Sequence, residues 1–95
     1  MDSVVIERLI EFCRATPGIY EVYHYGQAVK KQFSLVLAFI VFDPNKNITN
    51  SIISAVQAAF TGHQPSAPLD VQFFGPDEDL STIKAIKNAL VYKRN

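Results

Sequence analysis

The chain has 95 residues, of which 48% are hydrophobic and 19% charged, a composition that excludes disorder and a length that leaves no room for two separate cores. Nine basic and nine acidic side chains cancel to a formal net charge of zero, so no overall field draws the protein to nucleic acid or anionic lipid. The single cysteine, Cys13, has no internal disulfide partner, no secretory leader pattern opens the sequence, and the longest apolar run, Leu35 to Phe42, is far below the ~20 residues of a spanning helix. One domain over residues 1–95 is expected, cytoplasmic and without nucleic-acid or membrane partners.

Asp2 and Ser3 offer oxygens to first-turn amides, and Val5, Ile6, Leu9, Ile10, Phe12 and Cys13 then recur at helical spacing. This predicts a helix ending near Ala15, stopped by Pro17 and Gly18. Ile19 to Tyr25 is rich in β-branched and aromatic residues and reads as a first strand, with Tyr20, Val22 and His24 on one face. Gly26 to Gln32, with Lys30 and Lys31, has loop composition, and Phe33 to Phe42 reads as a second strand, so a hairpin with a long tip is expected. That second strand does not alternate. A strand apolar on both faces needs cover on both, which places it centrally in the sheet.

Asp43, Pro44, Asn45 and Asn47 turn the chain into a helix carrying Ile48, Ile52, Val56, Ala59 and Phe60, closed by Gly62. After a polar connection from His63 to Pro68, Leu69, Val71 and Phe73 alternate with Asp70 and Gln72 as a third strand. Asp77, Glu78 and Asp79 then precede Leu80, Ile83, Ile86 and Leu90, with lysines later, which suits the dipole of a final helix. The predicted fold is α+β in the order α-β-β-α-β-α. Its small mixed sheet has three strands in the order 1-2-3, the last two parallel, packed with helices. The edge strands of so small a sheet invite pairing with another chain, including a homodimer.

No catalytic residue, cofactor site or metal site is assigned. Cys13 lies on the apolar stripe of the first helix and reads as packing, His24 as a partly buried strand residue, and His63 as a surface residue. Two distant histidines and one cysteine match no metal-ligand spacing, the acidic run lacks the spacing and glycine of a calcium loop, and the glycines stand singly. Tyrosines join an apolar body to a polar tip and are enriched where proteins meet. The candidate interaction surface is therefore Tyr20, Tyr23, Tyr25, Lys30 and Lys31.

The stretches IYEVYHYGQ, SLVLAFIVF, SIISAVQAAF, PLDVQFF, GPDEDLSTI and ALVYKR, taken in order, resemble the C-terminal domain of the enhanced serine sensitivity protein (SseB) family. The resemblance covers most of the chain. It implies a small, non-catalytic, cytoplasmic bacterial protein that acts by binding another protein or in regulation. An immunity protein neutralising a toxin and a sensor of amino acids are the alternative expectations.

Overall fold

The computed structural model describes residues 2–94, and its centre is the strand Gln32–Val41 (β2). From Val36 to Val41 no residue of β2 is more than 3% exposed. On one side β2 pairs antiparallel with Ile19–Val29 (β1), and on the other it pairs in parallel with Leu69–Phe74 (β3). A fourth strand, Leu90–Lys93 (β4), pairs antiparallel with the far edge of β1, and the sheet order is β3-β2-β1-β4. Three helices complete the fold: Ser3–Arg14 (α1), Lys46–Ala59 (α2) and the short Ser81–Lys84 (α3).

Each face of β2 is covered by the chain itself. Leu37, Phe39 and Val41 face α1 and α2, where they join Val5, Leu9, Cys13, Ile52 and Val56 in the larger core cluster. Val36, Ala38 and Ile40 face the other way and meet Tyr23, Leu80 and Ala89, with Ile83 and Ile86 packed against them. The segment around α3 is thus the lid of the second face.

The helix starts follow from side chains that accept orphan amides. Asp2 Oδ1 accepts the Val4 N–H at 2.9 Å, and Asn45 Oδ1 accepts from Asn47 at 3.0 Å and Ile48 at 3.1 Å. The helix ends are closed by arginines from elsewhere. Arg8 Nη1 donates to the carbonyls of Ala59 (3.0 Å) and Thr61 (3.1 Å), just past α2. Arg94 Nη2 donates to Cys13 (2.6 Å) and Thr16 (3.0 Å) at the end of α1, while its Nε donates to Ile19 (2.9 Å). A cation at a helix C-terminus also meets the negative end of the dipole.

Three sequence expectations are corrected. The sheet has four strands rather than three, so β1 is interior rather than an edge. The expected final helix is only Ser81–Lys84: Asn88 takes a left-handed φ of 63°, and the chain then extends as β4 because β1 offers an unpaired edge to the β-favouring Val91 and Tyr92. The expected long hairpin tip is a two-residue turn, because the register continues through Val29 and Gln32. The acidic run still serves its local role. Asp79 Oδ1 accepts the Ser81 N–H (3.1 Å) and hydroxyl (2.8 Å), and Glu78 accepts the Gly75 N–H (2.6 Å).

Two expectations follow for stability. Arg94→Ala removes three side-chain hydrogen bonds, two of them to carbonyls that keep backbone donors, and is expected to lower unfolding free energy by about 2 kcal/mol, with Arg94→Lys recovering only part because a lysine cannot fork; urea titration reads both. His24 donates from Nδ1 to the Val36 carbonyl, and burial holds its pKa below the ordinary 6.5. The unfolded chain therefore takes up a proton that the folded chain refuses, and this contribution is full above pH 6.5 and lost as pH falls below it. Unfolding midpoints measured above and below pH 6.5 should diverge less in His24→Gln than in the parent.

Candidate functional site

Strands advance about 3.3 Å per residue and helices about 1.5 Å, so the strand pair β1 and β2, of 11 and 10 residues, outruns the 12-residue and 14-residue helices laid on it. The neighbouring strands do not follow it either. β4 matches β1 only over Glu21 to Tyr23, and β3 joins β2 only from Leu35 onward. Residues 26–34 consequently form a two-stranded arm projecting from the body of the sheet.

At its end, Lys30 (φ 49°) and Lys31 (φ 68°) both occupy the left-handed region, the pattern of a type I′ turn. Asn-Gly is the low-energy pair for that turn, and an ordinary side chain there costs about 1 kcal/mol or more per residue. Neither lysine is in an ion pair among the described residues. The flanking positions are apolar and open: Val29 is 54% and Phe33 55% exposed. Successive strand residues alternate in face, so Phe33 lies on the helix side and Val29 on the other. The Phe33 ring rests on Gly26, where an added Cβ would come within 2.7 Å of it. A cleft of about 600 Å³ runs beside the arm, lined by Val29, Lys30, Gln32, Phe33, Ser34 and Pro68.

The residues proposed from sequence are dispersed. Lys30 and Lys31 form the tip of the arm. Tyr20 lies at the opposite end of β1, packed edge-on against Phe42 with centroids 6.1 Å apart. Tyr23 is buried in the second-face core, where its hydroxyl donates to Glu21 Oε1 at 2.9 Å, and burial followed by the Glu21 carboxylate pushes its pKa up to about 12. Glu21 in turn meets Lys84 at 3.6 Å and so ties α3 to the sheet. Tyr25 is half-buried beside the same cluster, its pKa raised by burial and then by Asp70. The arm's apolar residues, Val29 and Phe33, are not among the candidate surface residues expected from sequence; the signal for them is the run VKKQF, in which apolar strand residues flank two cations without a glycine.

Elsewhere, the Cys13 thiol is buried and pushed up to about 12 by burial, against the opposing Arg94, which removes thiolate chemistry at neutral pH. A second cleft of about 310 Å³ lies where Val5, Leu35 and Phe60 meet the loop after α2. On its rim His63 Nδ1 stands 3.0 Å from Asp2 Oδ2. Among the described residues there is no group of three or more metal-ligating side chains, and no helix is long and apolar enough to cross a membrane.

No family model matches the chain, and no curated protein matches it. Among solved structures, a variant of the MamM C-terminal domain matches with a TM-score of 0.44 and 24% identity, over 81% of this chain and 99% of that one. The copper form of the MamM C-terminal domain matches with a TM-score of 0.44 and 22% identity, over 81% of this chain and 88% of that one, and a zinc-form variant with 0.42 and 22%, over 80% and 87%. The resemblance to the SseB family is corrected accordingly, since the likeness found is to MamM C-terminal domains. The stretches that carried that resemblance have ordinary architectural causes: SLVLAFIVF is the doubly covered central strand, SIISAVQAAF an amphipathic helix, and ALVYKR the edge strand whose arginine caps α1.

Proposed function

We propose that this chain is a non-enzymatic, cytoplasmic protein-binding domain, and that its β1–β2 arm docks an acidic, apolar-bearing surface of another protein. The observation that carries this reading is the tip itself, where two lysines with no ion pair among the described residues are held in left-handed conformations between an exposed valine and an exposed phenylalanine. A turn selected for stability alone would carry Asn-Gly. Burying a phenylalanine is worth roughly 1.5–3 kcal/mol, whereas an exposed ion pair is worth about 0–1, so Phe33 supplies affinity and the lysines supply orientation and rate.

A smaller observation favours a second reading, that of a small-molecule sensor. The 310 Å³ cleft, with apolar walls and the Asp2–His63 pair on its rim, is of a size to hold a molecule as small as an amino acid. A thermal-shift screen with free amino acids tests it. A ligand present at about 100 times its dissociation constant adds roughly 2.7 kcal/mol, and an unmoved melting temperature at millimolar ligand removes this reading.

For the arm, Lys30→Asn with Lys31→Gly is expected to raise stability by about 1–2 kcal/mol while lowering affinity for a partner recovered from the native host and rebound in purified form. Phe33→Ser should weaken that binding further with little change in melting temperature, since the ring is more than half exposed. Unchanged affinity in both variants would sink the arm reading.

A further inference from the structure

We propose that two copies of this chain pair antiparallel through β3, forming one continuous sheet with four strands from each copy. This surface is separate from the arm, and the proposal does not rest on the arm's function.

The open side of β3 follows from its pairing with β2. The register sets Leu35 beside Leu69, Leu37 beside Val71 and Phe39 beside Phe73, and the Leu35 N–H donates to the Pro68 carbonyl at 2.8 Å. In a parallel ladder a residue bonds to the two neighbours of its register partner, so Leu35 serves Pro68 and Asp70, Leu37 serves Asp70 and Gln72, and Phe39 serves Gln72 and Phe74. The N–H and C=O groups of Leu69, Val71 and Phe73 therefore point away from β2, where no other strand stands among the described residues.

Antiparallel pairing joins outward residues to outward residues. A two-fold axis at Val71 sets Val71 against its own copy and Leu69 against Phe73 in both directions, which uses all three outward residues. On the helix face this extends an apolar surface, since Leu69, Val71 and Phe73 already pack on the main core. On the other face Asp70 stands opposite Gln72 of the second copy, twice. Gln72 Nε2 already donates to Asp70 Oδ2 at 2.8 Å within the chain, so exchange across the axis preserves that bond.

The competing registers are worse. An axis at Asp70 opposes two carboxylates, and an axis at Gln72 sets Asp70 against Phe74 and uses only Val71 and Phe73 of the outward residues in β3. The match of charge, face and outward groups in one register identifies the occupant as a second copy. Pro68 and Pro76 bound the edge, and the two-fold contact is closed, so it gives dimers rather than fibres.

The test uses the full chain. Sedimentation over a concentration series is expected to show a monomer–dimer equilibrium. Amide exchange should slow with concentration at Leu69, Val71 and Phe73, while Asp70 and Gln72, bonded to β2 in either state, should not respond. Gln72→Lys alone places a lysine opposite Asp70 twice and should tighten the dimer. Adding Asp70→Lys sets lysine against lysine twice and should weaken it about tenfold or more relative to the parent. A monomer at every concentration, exchange at the outward amides that ignores concentration, or single and double variants that move the equilibrium in the same direction would each overturn the proposal.

Discussion

The fold depends on one constraint: β2 is apolar on both faces, and water must be kept from both. Leu37, Phe39 and Val41 demand one layer, and Val36, Ala38 and Ile40 demand another. Two amphipathic helices satisfy the first demand. The second falls to the segment after β3, which places Leu80, Ile83, Ile86 and Ala89 across the far face. No second copy is needed to close that face, so surfaces for other molecules must be sought at the sheet's edges and ends.

That assignment also explains why the C-terminal segment is not a long helix. To cross the second face and then return beside β1, it must bend twice, and a continuous helix cannot do so. Asn88 supplies one bend through its left-handed conformation, and β4 then takes up the edge of β1. The return delivers Arg94 to the end of α1, where it binds carbonyls of Cys13, Thr16 and Ile19. Arg8 does the same service for α2. The C-termini of α1 and α2 are thus each held by a residue distant in sequence, which ties that helix layer to itself and to the last strand.

Much of this was legible in the sequence because it depends on local period. The unbroken apolar run gave β2 its central place, the three-and-four spacing gave α1 and α2, and the alternation from Leu69 to Phe73 gave β3. The errors arose where tertiary demand overrode local pattern. Leu80, Ile83, Ile86 and Leu90 have helical spacing, but the first three cover a sheet face while Leu90 opens a strand and is 51% exposed. The tight turn was hidden because Lys30 and Lys31 occupy positions where glycine or asparagine would announce it. Of the tyrosines, Tyr23 is drawn into the core by the Leu80 to Ala89 lid, whose spacing by itself predicts a helix. Phe33, the apolar half of the candidate site, could not be told from the core residues that follow it in the same run.

The same inequality of lengths accounts for both proposed surfaces. β2 needs ten residues to span the body and form the arm, whereas β3 has six and β4 has four. Where β2 outlasts its neighbours it projects as the arm, and where β3 matches it an edge is left with outward amides. An isolated two-stranded ribbon is marginal in water, and the strained turn at its end adds a cost of about 2 kcal/mol. A domain whose total stability is of the order of 5–15 kcal/mol carries such a cost only if the rest of the sheet is secure. The doubly covered β2 supplies that security, since the arm is anchored in a strand whose residues from Val36 to Val41 are all buried.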